Sequence, residues 1–186
     1  MINASFLAGD TAPGFDAPLE MLRACHRRIE KQIATLARLE RHLPEHGCDD
    51  DARAAARGIM RYFDTAAVNH HADEEQSVFP RLVAACGDEA AQIAARLESE
   101  HEVLATLWAR LRPLLAGIAV GARANLSPHD VVEVREAYER HIAVEETQLL
   151  PLAERTFDRA TLDVIGQEMA ARRNVDVSEA RERLGP

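Results

Sequence analysis

The chain has 186 residues, a length typical of one domain with a hydrophobic core of its own. Apolar residues make up 47% and aromatic residues only 4%, with Ala, Leu, Glu and Arg prominent, which favours helices and excludes an all-β sandwich. The net charge of −9 argues against nucleic acids and anionic membrane surfaces as partners, because an acidic surface repels phosphates.

The sequence predicts neither a membrane span nor an export signal. Residues 113–122 are uncharged, but they contain a proline and two glycines and are shorter than the roughly 20 residues of a span. Residues 1–18 have no basic residue and no sustained apolar run, unlike a signal peptide. Cys25, Cys48 and Cys86 form no CxxC pair, and this odd number predicts reduced thiols in the cytoplasm.

The first predicted helix follows an irregular arm, with Asp16 as a candidate N-cap and Pro18 in the first turn. It ends at Pro44. Its interior stripe recurs every three or four residues, as expected for one face of a helix. The stripe consists of Leu19, Leu22, His26, Ile29, Ile33, Leu36 and Leu43.

The second predicted helix begins at residues 49–51, three aspartates that supply a cap and negative charge at the helix start. We expect a kink at Pro80 and the end of the helix at Gly87. Its interior stripe consists of Ala52, Ala55, Ile59, Phe63, Ala66, His70 and Glu74.

The third predicted helix begins near Asp88 and weakens at Pro113 and Gly117. The fourth begins with Ser127 as N-cap and Pro128 at the first helical position. The third stripe consists of Ile93, Leu97, His101, Leu104, Trp108 and Leu111. The fourth consists of Val131, Val134, Tyr138, His141, Glu145, Leu149 and Leu152.

A fifth, shorter helix over residues 160–173 has a narrow apolar face that can dock on the others, and a charged tail follows. Four long amphipathic helices with short loops predict an all-α, up-down-up-down antiparallel four-helix bundle. The predicted organisation is an irregular N-terminal arm at 1–16, the bundle at 17–156, and the C-terminal helix and tail at 157–186.

An internal repeat links the second and fourth helices. Residues 70–80 and 141–151 align without gaps, and both read His, three residues, Glu-Glu, four residues, Pro. A single His-x-x-x-Glu match is weak evidence in a glutamate-rich chain. Here, however, each segment follows a helix with one histidine on its interior stripe, His26 or His101. The chain is therefore predicted to form two similar helical hairpins.

The positions of the interior histidines relative to the loops predict that all four lie at one height. Residues equidistant from the turn of an antiparallel hairpin lie at the same level. The midpoint between His26 and His70 falls in the first predicted loop, and the midpoint between His101 and His141 is Gly121. Four imidazoles are thus expected in one layer of the bundle.

Two glutamates are predicted to join this layer. Glu74 and Glu145 each follow a histidine by four residues, about 6 Å further along the same helix face. Burying ionised carboxylates costs several kcal/mol each unless a cation compensates. Two bridging carboxylates with two imidazoles per ion describe a dinuclear metal site. Without a thiolate, the donors favour iron, then manganese, over a structural zinc.

At this point the chain resembles the hemerythrin-like (HHE cation-binding) family, through His26, residues 70–80, His101 and residues 141–151. The resemblance implies a four-helix bundle around an oxo- or hydroxo-bridged pair of non-haem iron ions, with manganese or zinc as possible substitutes. It makes terminal ligands of His26, His70, His101 and His141 and bridging carboxylates of Glu74 and Glu145.

The sequence departs from the oxygen-carrying hemerythrins at two positions. They have a further histidine one turn beyond the third-helix ligand, where this chain has Ala105, and their last carboxylate is an aspartate five residues after its histidine, not Glu145 at four. Two imidazoles per iron imply a more symmetric site and a poor reversible oxygen carrier. Tyr138 and Glu30 stay open as further ligands.

The remaining polar residues are expected outside the ligand set. His71 and Glu75 lie about 100° from the interior stripe of their helix, where they can support a ligand or face solvent. Solvated or surface positions are expected for Glu100, Glu102, His42, His46 and His129.

Three functions are compatible with this pattern. The first is a binding protein that holds iron and binds or senses oxygen or a related small molecule. The second is an oxidoreductase that consumes peroxide or nitric oxide at the same centre. The third is a metal-free or zinc-filled bundle that serves as an interaction module. The first two need the same ligands, so the sequence leaves both open, with small molecules as the expected partners.

Overall fold

The computed structural model describes residues 13–175, and within that range the chain is helical with no strand. The predicted all-α bundle with a short additional C-terminal helix is therefore confirmed. Most of the predicted arm and the end of the predicted tail, residues 1–12 and 176–186, lie outside the described residues. None of the described helices is long and apolar enough to cross a membrane.

The bundle is built from four helical rods, two of which are divided into segments. The first rod is α1 (Pro18–His46). The second comprises α2 (Asp50–Phe63), α3 (Ala66–Asp73), a π-helical turn (Glu74–Val78) and α4 (Phe79–Cys86). The third is α5 (Asp88–Ala119). The fourth comprises α6 (Pro128–Val144), a second π-helical turn (Glu145–Leu149) and α7 (Leu150–Thr156), and α8 (Arg159–Arg172) follows it. Contacts of α2 with α1 and α5, and of α6 with α5 and α1, close the bundle.

The helix ends follow local chemistry, with two differences from the prediction. Asp49 caps α2 as expected, because its side chain accepts a backbone N–H at 2.8 Å. Asp16 is not the cap of α1; Ala17 occupies that position. Pro44 lies in the last turn of α1, and the helix continues past it to Gly47, whose φ of 68° ends it.

The second rod was predicted to be continuous as far as Pro80 and the third to weaken at Pro113, and the structure differs in both. The second breaks at Asp64 and Thr65, where the Asp64 carboxylate accepts hydrogen bonds from Trp108 at 3.1 Å and Arg112 at 2.8 Å of α5. The third was expected to weaken at Pro113, but it continues for six more residues. Pro113 is exposed, so the carbonyl that loses its helical hydrogen bond faces water.

The two π-helical turns occupy equivalent places in the internal repeat. They begin at Glu74 and Glu145, whose carbonyls accept an N–H from the residue five positions on. Pro80 and Pro151 follow each turn; a proline has no N–H, and its ring crowds the carbonyl four residues before it. The additional residue of a π turn accommodates this conflict. The irregularity that Pro80 predicts thus takes the form of a π turn.

The described core contains two apolar clusters, with the histidine level between them. One cluster lies among α1, α2, α5 and α6 and includes Leu36, Ile59, Leu111, Leu115 and Val134. The other lies among α1, α4, α5, α7 and α8 and includes Leu22, Leu82, Leu97, Leu150 and Met169. The polar side chains at the histidine level therefore have an apolar cluster on each side of them along the bundle axis.

The C-terminal helix α8 packs against the second rod through buried polar contacts. Asp73 is fully buried, and its carboxylate oxygens lie 2.8 Å from Arg172 and 2.7 Å from Arg173. On the same helix, a Cβ on Gly166 would lie 1.8 Å from the carbonyl oxygen of Phe15. Glycine is needed there because the backbone before α1 approaches α8 closely.

Candidate metal centre

All four rods contribute side chains to one buried polar cluster. The structure brings together the six residues predicted as ligands, none more than 5% exposed: His26, His70, Glu74, His101, His141 and Glu145. Their possible ligand atoms form two groups, each within 4.8 Å. The first group contains His26, His70, Glu74 and Glu145, and the second contains Glu74, His101, His141 and Glu145. Both glutamates are common to the two groups.

Glu145 directs one carboxylate oxygen toward each group. Its Oε2 lies 2.9 Å from Nε2 of His26, in the first group. Its Oε1 lies 2.9 Å from Nε2 of His141 and 4.0 Å from Nε2 of His101, in the second group. This is the arrangement expected of a carboxylate that bridges two ions.

Glu74 has the same division of oxygens. Its Oε1 lies 3.6 Å from Nε2 of His70, and its Oε2 lies 3.4 Å from Nε2 of His101. The first glutamate of each Glu-Glu doublet therefore faces both groups. Each comes from the first residue of a π-helical turn, four positions after the histidine of its own rod.

The inner atoms of the cluster are close together but are not hydrogen-bonded to any described residue. They are Nε2 of His26, His70, His101 and His141 and both carboxylate oxygens of Glu74 and Glu145. Buried polar atoms normally have partners, since leaving them without one costs about 1–3 kcal/mol each. Two ligands that are each about 2.1 Å from one ion, at right angles, lie about 3.0 Å apart. The short separations without hydrogen-bond alignment therefore fit a cation within each group.

Three of the four imidazoles form a hydrogen bond to a carboxylate through Nδ1, the ring nitrogen that faces away from the cluster. The pairs are His26 with Glu146 at 2.5 Å, His101 with Glu75 at 2.6 Å, and His141 with Glu100 at 3.0 Å. With Nδ1–H donating to a carboxylate, the Nε2 lone pair points into the cluster, and the ring is a stronger ligand. Glu100 is therefore not simply solvated, as its position beside His101 suggested.

The second glutamate of each Glu-Glu doublet acts across the bundle. Glu75 accepts from His101 and Glu146 accepts from His26, so each orients an imidazole on a neighbouring rod. From its place in the sequence Glu75 was expected to support a ligand or face solvent, whereas the role of Glu146 was not predicted. The repeated doublet was the signal, but its partners lie on other helices.

The two bridging glutamates have opposite pKa shifts. Burial, together with the neighbouring Glu145 carboxylate, raises the pKa of Glu74 well above its usual range. Burial also acts to raise the pKa of Glu145, but the adjacent imidazoles of His101, His141 and His26 outweigh it and hold that pKa well below its usual range. The opposite shifts show that the two carboxylates resist being charged together, and a cation between them would remove this repulsion.

The imidazoles also differ in their affinity for protons. Burial lowers the pKa of His70 to about 3, so its ring is neutral. Burial opposes charge on His26 and His141 as well, but Glu145 and the carboxylate on each outer nitrogen outweigh it and raise both pKa values. A cation at either histidine therefore competes with a proton for the imidazole.

His71 lies nearer to the cluster than its angle from the interior stripe suggested. It is half-buried, and its ring stacks on His101 with centroids 3.9 Å apart and planes 14° apart. Its possible ligand atom falls within 4.8 Å of those of His101 and His141. Burial lowers its pKa to about 2. In a four-helix bundle each rod contacts two neighbours, so His70 faces His26 of α1 while His71 faces α5.

Other residues considered from the sequence lie away from the cluster. Glu30 and Ala105 are exposed. Tyr138 is buried in an apolar cluster, with its ring centroid 5.5 Å from that of Phe63. His129 is 82% exposed, and it lies with Asp130 and Glu133 in a solvent-facing group that needs no metal.

Comparisons with known proteins cover the same part of the chain. A family model described as Hemerythrin HHE cation binding domain matches residues 17–153. A Haemophilus influenzae protein, described only as uncharacterized, is 32% identical over 161 residues, which cover 87% of this chain and 92% of the relative. Residues 17–153 contain all six side chains of the cluster.

Proposed function

This chain belongs to the hemerythrin HHE cation-binding family, and we propose that it holds two iron ions among its four rods and uses them to bind or sense oxygen or a related small oxidant. The observation that carries the proposal is the pair of ligand groups that share Glu74 and Glu145. In each group, inner nitrogen and oxygen atoms lie buried without a hydrogen-bond partner among the described residues.

The proposed assignment follows the two groups. One ion would be held by His26 and His70, and the other by His101 and His141. Each glutamate would give one oxygen to each ion. A bound iron pair supplies two electrons to a small oxidant. The nitrogen and oxygen donors suit iron, with manganese or zinc as possible substitutes.

The carboxylates that accept hydrogen bonds from the outer ring nitrogens contribute to this proposed function. Glu146, Glu75 and Glu100 hold the Nδ1–H of three ligands, so the rings keep their orientation when the charge of the centre changes. A charged hydrogen bond of this kind strengthens as an imidazole gains positive character. The chain thus stabilises the oxidised state through groups that do not touch the metal.

A groove between α1 and α6 supports a small uncharged ligand. It has a volume of about 460 Å³, and its lining is mostly apolar, with the charged residues Glu30, Arg135 and Glu139 beside Ile29, Ile33, Ala34, Ala37, Tyr138, Ile142 and Ala143. Ile29 is one turn from His26, and Ile142 adjoins His141. An apolar lining favours molecules such as oxygen or nitric oxide over charged ones.

We also infer that the protein works in the cytoplasm. Cys25, Cys48 and Cys86 form no disulfide within the described chain, which supports a reducing compartment. The acidic net charge supports small molecules, and neither nucleic acid nor an anionic membrane surface, as partners.

The test is anaerobic reconstitution with ferrous iron, followed by oxygen and then by hydrogen peroxide, with absorption spectra and peroxide decay recorded. We expect about two iron ions per chain and a spectral change on oxygen addition. A stoichiometry near zero would overturn the proposal and favour the interaction module. Rapid catalytic loss of peroxide would assign the oxidoreductase function. Oxygen that leaves intact under vacuum would indicate reversible carriage.

A further inference from the structure

The C-terminal helix α8 meets the second rod where that rod supplies Glu74. Asp73, the residue before Glu74, is fully buried, and its carboxylate accepts hydrogen bonds from Arg172 at 2.8 Å and from Arg173 at 2.7 Å. Charged hydrogen bonds of this kind are strong and fix the direction of the carboxylate. The two arginines at the end of α8 therefore hold the chain at the start of the π-helical turn.

A second contact lies inside the turn. The hydroxyl of Ser77, which is fully buried, accepts a hydrogen bond from Arg172 and donates one to Glu168 of α8, both at 2.5 Å. Arg81 donates to the backbone carbonyl of Ser77 and to the carboxylate of Glu168, both at 2.7 Å. The helix α8 is thus bound to a side chain of the turn directly and to its backbone through Arg81.

The π-helical turn of the second repeat has different residues at these positions. The place of Asp73 is taken by Val144, which packs in an apolar cluster, and that of Ser77 by Gln148, which is exposed. The polar contacts with α8 are therefore specific to the turn that begins at Glu74.

The two glutamates also differ in how closely the imidazoles surround them. Glu145 lies 2.9 Å from Nε2 of both His26 and His141. The shortest such distance for Glu74 is 3.4 Å, to His101. The direction of the Glu74 carboxylate therefore depends more on the backbone that presents it, which is the backbone that α8 holds.

We infer that α8 positions Glu74, acting through Asp73 and Ser77, and that metal binding and the docking of α8 on the second rod are consequently coupled. The inference rests on the proposed metal-binding function. Such a coupling is reciprocal: the factor by which docked α8 raises metal affinity equals the factor by which bound metal favours the docked helix. Occupancy of the buried centre thus reaches a helix that lies outside the four rods.

The first test is Arg172→Gln, which removes the contacts with Asp73 and Ser77 but leaves the buried Asp73 carboxylate paired with Arg173. Arg159→Gln is the matched control, because Arg159 belongs to the same helix and is 65% exposed. Zinc affinities are measured by competition with a chelator, and the melting temperature of each apoprotein checks that it is folded.

We expect Arg172→Gln to weaken both zinc equivalents about fivefold or more, because Glu74 offers an oxygen to each position, and Arg159→Gln to leave both unchanged. Unchanged affinities in folded Arg172→Gln would overturn the inference and leave the proposed function intact. An unaltered protein that takes up no zinc would overturn both.

The second test uses the unaltered protein and therefore does not depend on how well a variant folds. Amide hydrogen exchange of residues 162–172 reports the docking of α8. With about two zinc ions bound per chain, exchange should slow about fivefold or more in the unaltered protein and in Arg159→Gln, but not in Arg172→Gln. Equal rates with and without bound zinc in the unaltered protein would overturn the inference.

Discussion

The two halves of the internal repeat, residues 70–80 and 141–151, are alike where they face the metal centre. In both, the first glutamate of the doublet begins a π-helical turn and directs one oxygen to each ligand group. In both, the second glutamate accepts from a histidine of a neighbouring rod: Glu75 from His101, and Glu146 from His26. The common spacing thus produces the same polar contacts twice.

The halves differ at the positions between these shared residues. The first half has His71 beside the centre and Asp73 beneath α8, where the second half has Ile142 and Val144 in apolar clusters. These differences give the two sides of one bundle different tasks. At these positions the first half stacks His71 on His101 and holds α8, whereas the second half contributes only apolar packing. Five measurements test where the two halves are alike and where they differ.

The largest effect is expected from Glu145→Ala, because it removes an oxygen from both metal positions. Affinity should fall more than about 100-fold at both, and Glu74→Ala should behave alike. His141→Ala should mainly affect its own position. Iron or zinc content and competition titrations measure this, and His129→Ala, at an 82% exposed site, should retain two ions. Equal losses in all four variants would contradict the shared-carboxylate arrangement.

Acid should release metal through one histidine of each ligand group, His26 in the first and His141 in the second. The pKa values of His26 and His141 are raised, and the protonated ring cannot bind metal, so affinity is full above these pKa values and falls as pH decreases through them. Each position has one such competing proton, which costs up to about tenfold in affinity per pH unit. His70, with its pKa lowered to about 3, should not contribute. A pH-independent affinity between about pH 8 and 5.5 would be incompatible with this.

Asp73→Val gives the first half the side chain that the second half has at the equivalent position, Val144. The loss of two ion pairs should reduce the free energy of unfolding by about 2 kcal/mol, since Arg172 and Arg173 are 17% and 20% exposed and can reach water. Thermal melting and proteolysis of α8 measure this. Asp163→Ala breaks an exposed pair with Arg159 on the same helix and should change stability by less than about 0.5 kcal/mol. Equal stabilities for the two variants would show that Asp73 does not hold α8.

Glu75→Gln and Glu146→Gln test the likeness of the halves. Each removes the charge behind one ligand, so each should weaken metal binding about tenfold, the first at the His101 side and the second at the His26 side. Competition titrations that resolve two affinities make this visible. Glu98→Gln, at an exposed position of α5, is the control. If both variants weakened the same position, the cross-bundle pairing would be wrong.

The smallest effect is expected from Ala105→His. The residue is exposed, so a histidine there should face solvent and leave the metal affinities within measurement error. The same titrations apply. A gain in affinity at one position would show that a histidine at residue 105 of α5 can reach the cluster, and the expectation from its exposure would be wrong.

Much of the fold was predictable from the sequence because it depends on the spacing of residues along the chain. Three- and four-residue spacing of apolar residues determines which helix face is buried, and short loops make neighbouring helices antiparallel. Equal distances from the turns then place His26, His70, His101 and His141 at one level. The capping aspartate Asp49 and the all-α class follow from equally local chemistry.

The tertiary structure decided the contacts that depend on which neighbour a side chain meets. The roles of Glu75 and Glu146, the approach of His71 to His101, and the burial of Asp73 under α8 all join different rods. A single stripe describes one face of a helix, but a rod in a bundle contacts two or three neighbours at different angles. Residues about 100° apart on one helix can therefore both face the interior, which only the packed arrangement of the rods determines.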